Sequence, residues 1–441
     1  MTYNTLGLSE LLAEKGYIRG PFGSSLLRRE MLDSGEFAVY EQSNAIKNSR
    51  EFRFFIDRNK FDELKRFAIR ENDLIISCSG TVGRISKIEG NPYPGIISQA
   101  LLILRSNEKK ILPDFLKYFL QTKKGQHEIL NASHGSVQVN IAPRKVVERI
   151  PIPCPDIKTQ DAICKILLAF DKKIELNQQM NKTLEDIAKT LFKSWFIDFA
   201  PLRAKVEGRP SGLTKEISDL FPDSFEDSEF GEIPKGWQIK EIQELCESIS
   251  SGGTPKRKQK DYWENGTIDW FKTGELLDTY LLESEEKITD SAVRESSCKL
   301  WNKGTILFAI YASPTVGRLG ILTKPSTSNQ AAAGLIPKES VGMPFLKNLL
   351  LFSRKEMQHI ASGAAQQNIN VGILKEFKVI SPNDEIAGYF SKINEPIEKK
   401  IFSNLREISY LSQIRDLLLP KLISGELKIS DAENLVEEAG I

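Results

Sequence analysis

The sequence predicts a mixed α/β (α+β) protein built as two related modules, each followed by a long helix of coiled-coil type. Three observations carry this: an internal repeat at about half the chain length, strand-like runs separated by turn residues, and sustained seven-residue apolar series.

The repeat comes first because it sets the architecture. Thr81-Val82-Gly83-Arg84 returns as Thr315-Val316-Gly317-Arg318, 234 residues later. Gln99-Ala100 returns as Gln330-Ala331 after 231, Gln126-His127 as Gln358-His359 after 232, and Asn140 as Asn370 after 230. Four ordered matches at similar offsets mark a duplicated module too long for a solenoid unit. We place the first module at 1–155 and the second at 237–382. Within them Leu74–Ser77, Ala100–Leu104 and Thr305–Ile310 read as strands, bounded by turns such as Gly90-Asn91-Pro92 and Asn302-Lys303-Gly304. Pro113–Leu120 reads as a helix with proline in its first turn.

A long helix follows each module, at 156–200 and 383–428. From Gln160 to Phe199 there is no Pro or Gly. Leu167, Ile174, Asn181, Ala188 and Trp195 recur every seven residues, and Phe170, Asn177, Leu184 and Leu191 recur three residues after them. The second series runs Phe390, Ile397, Asn404, Leu411 and Leu418. Asparagines in such seams cost stability but fix register and partner, so the two helices are expected to pack on each other. With Phe196, the apolar residues also suggest an exposed patch for a partner. Pro396 is expected to kink the second helix or to start a new segment. The stretch 201–236 holds seven acidic residues between Glu216 and Pro234 and no basic one. It reads as an extended linker, and 429–441 as a tail.

Composition narrows the class. The chain has 441 residues, 40% hydrophobic and 27% charged, which suits a folded protein of several domains. No apolar run is long enough to span a membrane, and no secretory signal is visible. Five scattered cysteines without a Cys-x-x-Cys pair fit a reducing cytoplasm, and three histidines make a zinc site an unexpected feature. A net charge of +1 makes no case for nucleic acid, which must rest on local patches.

Catalytic constellations are missing. There is no Gly-Lys dipeptide for a P-loop, no G-x-G-x-x-G after a strand and no G-x-S-x-G elbow. Asn91-Pro92-Tyr93 reads as a turn. Asp57, Glu63 and Lys65 weakly resemble a nuclease cluster, and His127 and His134 read as hydrogen-bonding residues. No catalytic or metal-binding residue is expected.

Donors for a polyanion are present instead. Gly252-Gly253-Thr254-Pro255 leads into Lys256, Arg257, Lys258 and Lys260, four cations in five positions. The corresponding first-module loop carries Arg19, Gly20, Gly23, Ser24, Ser25, Arg28 and Arg29. Ser79, Thr81 and Arg84, with Ser313, Thr315 and Arg318, sit beside strand-like runs. Gln138 and Asn140 correspond to Gln367 and Asn370. Arg, Gln and Asn can each form paired hydrogen bonds with base edges. An equal reading is that the shared Thr-Val-Gly-Arg and Gln-Ala segments are fold-determining turns. Residues that differ between modules are then better specificity candidates, among them Gln42, Asn44, His134, Lys272 and Tyr311.

The residues resemble the specificity subunits of type I restriction–modification systems over nearly the whole chain. Arg19–Ser24 and Gly253-Thr254-Pro255 with Tyr262, Trp263 and Trp270 look like the openings of two target-recognition domains. Ser194–Phe199 and Leu220–Phe225 resemble the central conserved region, Gly231–Trp237 the entry to the second recognition domain, and Arg415–Leu427 the C-terminal conserved helix end. The resemblance implies two target-recognition domains held apart by an antiparallel pair of helices, each domain reading half of a bipartite double-stranded DNA site. It implies two methylase (modification) subunits docked on this chain, with restriction subunits, in a cytoplasmic phage-defence complex. S-adenosylmethionine, ATP and magnesium would bind in those partners and no cofactor in this chain. The alternative reading is a protein-assembly scaffold, whose binding would survive charge reversal at Lys256, Arg257 and Lys258.

Overall fold

The computed structural model describes residues 3–22, 25–130, 141–311, 315–363, 369–438 and 440, with the side chains of 361–363 and 438 excepted. The chain divides into two units: Met1–Glu175 with Ser409–Ile441, and Leu176–Ile408.

In the first unit, a four-stranded antiparallel sheet runs in the order Leu12–Arg19, Leu101–Ser106, Leu74–Ser77, Ile85–Lys87. A three-stranded sheet places Phe37–Tyr40 antiparallel to Phe55–Ile56 and parallel to Gly95–Ile97. The strands Leu74–Ser77 and Phe37–Tyr40 are buried along their whole length, which is why they read as apolar runs rather than alternating ones. Their side chains meet in one core with Ile96, Ile97 and Ile103.

The second unit repeats this topology. Cys246–Ser251, Ala332–Pro337, Ile306–Ala309 and Leu319–Leu322 lie in the corresponding order, extended by Thr279–Leu281, which pairs parallel with Leu319–Leu322. Ile268–Phe271 again pairs antiparallel on one side, with Glu286–Ile288, and parallel on the other, with Thr327–Ser328. Each module is closed by a two-stranded ladder joining its start to its end: Thr5–Gly7 with Pro151–Pro153, and Gln238–Glu241 with Lys378–Ser381.

The long helices are Ile157–Phe192, continued by a π-helical turn at Lys193–Ile197, and Asp384–Ser424. The first stops where Phe199 takes a left-handed conformation, at φ 51°. Arg415 Nη1 donates to Asp171 Oδ1 at 2.7 Å in the first unit, and Asn404 Nδ2 to Asn181 Oδ1 at 2.8 Å in the second.

Three expectations are corrected. Pro396 does not break the second helix. Proline removes one backbone donor, but here it is exposed, and the carbonyl it leaves over, that of Lys392, belongs to another exposed residue that water can serve. The stretch 201–236 is folded rather than extended. It holds helices Ala200–Val206 and Lys215–Ser218 and a hairpin of Phe225–Ser228 with Gly231–Pro234, tied down by buried Leu202, Phe221 and Ile233. Its acidic residues lie outside those anchors, which hid the anchors in a charge count. Finally, Trp195 and Phe196 form no exposed patch. They are 2% and 4% exposed, inside an aromatic core with Phe221, Trp237, Phe345 and Phe390.

Candidate nucleic-acid interface

The repeated motifs meet in space. Thr81-Val82-Gly83-Arg84 is a tight turn between strands, with Gly83 at φ 80° and its N–H bonded to Ser77 O at 2.8 Å. Ser77 Oγ donates to Thr81 O at 2.6 Å and accepts from Arg84 N at 2.9 Å. Gln126, from the helix Lys123–Leu130, donates to Gly83 O at 3.0 Å and to Leu120 O at 2.8 Å. In the second module Gly317 has φ 84°, its N–H bonds Ala309 O at 2.9 Å, and Gln358 donates to Val316 O at 2.8 Å. The repeated Gln-His and Thr-Val-Gly-Arg segments are thus halves of one lock, present twice. Left-handed φ and a Cβ that would lie 2.8 Å from Gln126 Oε1 explain the glycine at 83. The lock fixes the turn; it presents Ser79, Thr81 and Arg84 as exposed side chains, with Ser79 Oγ 3.3 Å from Gln42 Oε1. Thr315 and Arg318 are half-buried, and Thr315 Oγ1 donates to Tyr311 O at 3.1 Å.

The glycine loops are also built for packing. Gly20 N–H bonds Leu101 O at 3.0 Å, and Gly252 N–H bonds Ala332 O at 2.9 Å. A Cβ at either would collide with the backbone carbonyl of Ser98 or Asn329. These amides are already used, so glycine there serves close backbone approach, not phosphate contact. The side chains around them differ in availability. Arg257 lies 3.8 Å over the Trp263 ring and 4.7 Å from that of Trp270, and pairs with Glu286. The Arg257 guanidinium, with Lys272, holds the Glu286 carboxyl below its usual range. Thr254 donates to Gln330, and Lys260 is 3.9 Å from Glu264. Lys256 and Lys258 are exposed and form no ion pair among the described residues. In the first module, Ser25 Oγ donates to Phe22 O at 2.9 Å, Arg28 stacks 3.6 Å over Phe54, and Arg28 and Arg29 are exposed.

Several candidates are structural. Asn44 is buried: its Oδ1 accepts from Glu41 N at 2.8 Å, and its Nδ2 donates to Ser49 O and Glu51 O. Asn370 caps the helix Val371–Glu376 by accepting from Ile373 N at 2.8 Å. Both are corrections, and both follow from the readiness of Asn to bond nearby backbone. Lys272 is held by Glu285 and Glu286, and Tyr311 is exposed. Ser24, His134, Gln138, Asn140, Ser313 and Gln367 lie outside the described residues. The nuclease-like triplet does not assemble: Asp57 caps Arg58–Glu63 by accepting from Lys60 N, and Glu63 pairs with Lys60. Among the described residues no His, Cys, Asp and Glu cluster could hold a metal ion, and no helix is long and apolar enough to cross a membrane.

A basic cavity escaped sequence reading. It lies in the first unit, has a volume of about 760 Å³, and is lined by Lys15, Arg19, Arg66, Arg70, Arg105 and Arg144, with Glu14 as the acidic exception. Only Arg19 was a candidate. The others come from separate segments, so no local charge run announced them.

Within each unit most of the seam residues are covered rather than exposed. Phe170, Ile174, Asn177, Asn181, Asn404, Leu411 and Leu418 are buried; Leu184, Leu191 and Ile397 are half-buried. Asn181 Nδ2 also reaches Ile401 O at 3.3 Å, while Asn177 Nδ2 is buried with no hydrogen-bond partner. A carboxylate fourteen residues into each long helix is gripped by its module. Asp171 accepts from Tyr118 Oη at 2.7 Å as well as from Arg415. Glu398 accepts from Tyr280 Oη at 2.9 Å and from Lys347 Nζ at 2.8 Å.

Comparison with known proteins follows the same division. The family model described as the type I restriction modification DNA specificity domain matches residues 23–186 and again 234–412. The chain is 26% identical to the type I restriction enzyme HindI specificity subunit of Haemophilus influenzae, over 94% of this chain and 99% of the relative. It is 28% identical to the MjaIX specificity subunit of Methanocaldococcus jannaschii, over 82% and 81%. The crystal structure of the type I restriction–modification S subunit from M. genitalium shares the fold, with a TM-score of 0.56 at 16% identity and 96% coverage of both chains.

Proposed function

This chain belongs to the family of type I restriction–modification DNA specificity subunits, and on that premise we propose that each module reads one half of a bipartite, asymmetric double-stranded DNA site. Members of this family are the non-catalytic DNA-recognition component of their systems and assemble with other subunits and DNA. The observation that carries the two-half reading is that the family model matches twice, on two modules of one topology. Exposed Ser79, Thr81, Arg84, Arg28, Arg29, Lys256 and Lys258 supply the contacts, with backbone phosphates positioned by the cations.

The long helices dock two methylase subunits, to which restriction subunits add. Apolar side chains left exposed on those helices, Leu176, Ile187, Tyr410 and Leu417, suit such docking. S-adenosylmethionine, ATP and magnesium belong to those partners, so this chain directs adenine methylation and restriction without holding a cofactor. Helix length sets the spacer between half-sites: removing one heptad from each helix shortens it by roughly 10 Å.

The test is genome-wide mapping of adenine methylation in cells expressing this chain with its methylase, against cells lacking the chain. A bipartite motif that disappears with the chain supports the proposal. A motif that persists, or that is a single uninterrupted site, refutes it.

A further inference from the structure

The basic cavity of the first unit has more positive charge than its own structure consumes. Arg105 is neutralised: its Nε and Nη2 meet Asp73 at 2.7 and 2.8 Å. Arg144 pairs with Glu148 at 2.7 Å. Lys15, Arg19, Arg66 and Arg70 form no ion pair among the described residues, and Asp73, whose carboxylate accepts from the Arg70 backbone N–H, is already engaged by Arg105. The Arg19 guanidinium meets the buried Cys78 thiol, but its Nη1 is buried with no hydrogen-bond partner, an arrangement that wastes a charged donor unless something else accepts from it.

The guanidinium groups are also held in place. Arg19 lies 5.8 Å from the Phe22 ring, Arg66 4.3 Å from Phe67 and Arg144 5.2 Å from Tyr17. The Arg144 edge is partly taken by Glu148, but Arg66 forms no ion pair among the described residues, and a free guanidinium edge fits phosphate oxygens in pairs. At about 760 Å³ the cavity is larger than one phosphate needs. Four unspent cations in that space match two neighbouring phosphate groups.

We propose that this cavity is a phosphate-binding site that takes two adjacent phosphates, either successive phosphodiesters of DNA or the diphosphate of a free nucleotide. The DNA source rests on the specificity-subunit reading above; the anion site itself does not. Arg66 and Arg70 are exposed, so their replacement leaves the core intact.

The experiment compares the full chain in complex with its methylase as wild type, as the double variant Arg66→Gln/Arg70→Gln, and as Lys15→Gln, which guards against misfolding of the first variant. Calorimetric titration uses inorganic pyrophosphate and deoxyadenosine diphosphate. In parallel, affinity for target and unrelated duplexes is measured from low to high salt. For a DNA source, the double variant weakens binding to both duplexes alike and flattens the slope of log affinity against log salt by about 1 to 2, and Lys15→Gln by up to about 1. Pyrophosphate or deoxyadenosine diphosphate binding that the variants lose, with an unchanged DNA slope, supports the site with a free nucleotide as its source. If wild type shows no sequence preference but pyrophosphate binding is lost in the variants, the specificity reading fails and the anion site stands. An unchanged salt slope together with no binding of either small anion overturns the proposal.

Discussion

Glu398→Gln is the sharpest test of how the second unit grips its long helix. The Lys347 and Glu398 side chains are 6% and 4% exposed and meet at 2.8 and 3.1 Å, with Tyr280 Oη donating to the same carboxylate at 2.9 Å. Glutamine keeps the shape and can still accept from Tyr280. It cannot neutralise Lys347, whose ammonium would stay buried beside a neutral amide. Removing one partner of a buried pair costs about 3–5 kcal/mol, mostly because the other charge is stranded. For a unit of this size that lowers the melting temperature by roughly 10 °C. All five tryptophans, Trp195, Trp237, Trp263, Trp270 and Trp301, fall within Leu176–Ile408, so tryptophan fluorescence reports this unit alone. Replacing the pair together, as Lys347→Met with Glu398→Leu, should recover most of the loss, since well-packed apolar groups replace such pairs nearly without cost. The reasoning is refuted if Glu398→Gln costs less than about 1 kcal/mol, or if the double replacement is as damaging as the single one.

The same site responds to alkali. Burial, followed by the Glu398 carboxylate, pushes the Tyr280 hydroxyl far above its usual pKa of 10.0. Its contribution is therefore complete below pH 10 and is lost above it, at about 1.4 kcal/mol per pH unit, while Tyr280→Phe should remove that slope in fluorescence-detected unfolding. Gln126→Ala strands two carbonyls that the turn lock satisfies, and should destabilise the first unit by about 1–3 kcal/mol by amide hydrogen exchange, whereas Arg84→Ala should change stability little. Asn181→Leu with Asn404→Leu should hold or raise the melting temperature while loosening helix register, read by cross-linking of cysteines placed along the two helices. Charge reversal at Lys256 and Lys258 should flatten the salt dependence of DNA binding by about 2, while Arg257→Ala should chiefly loosen the loop, seen as altered Trp263 and Trp270 fluorescence.

The duplication, the strands and the helix seams were legible because each leaves a periodic or repeated trace in the sequence. Leu74–Ser77 reads as a strand since both its faces are covered, and Leu411 and Leu418 read as a seam since a helix returns them to one face. What failed was reading polar side chains. Asn44 and Asn370 serve their own backbone, and Arg257 is spent on an indole and a carboxylate, yet each looks like a free donor in one dimension. Trp195 and Phe196 fit a helix seam, but the chain brings Phe345 and Phe390 over them from segments some 150 to 200 residues away. The basic cavity failed for the same reason in reverse: its cations are scattered in sequence and gathered only by folding.

The ladders that close the modules have a consequence for how such a chain can change over generations. Thr5–Gly7 lies hydrogen-bonded against Pro151–Pro153, and Gln238–Glu241 against Lys378–Ser381, so the backbone enters and leaves each module at adjacent points. Much of what lies between those points can be exchanged, lengthened or rewritten without altering the path of the helix that follows, provided the ladder still forms and the side chains that grip the helix, Tyr118 in the first module and Tyr280 and Lys347 in the second, are kept. A crossover between two genes at the ladder positions would transplant an entire recognition surface in a single event. Strand pairing through main-chain atoms makes that junction nearly indifferent to side-chain identity, so unrelated cassettes could share it.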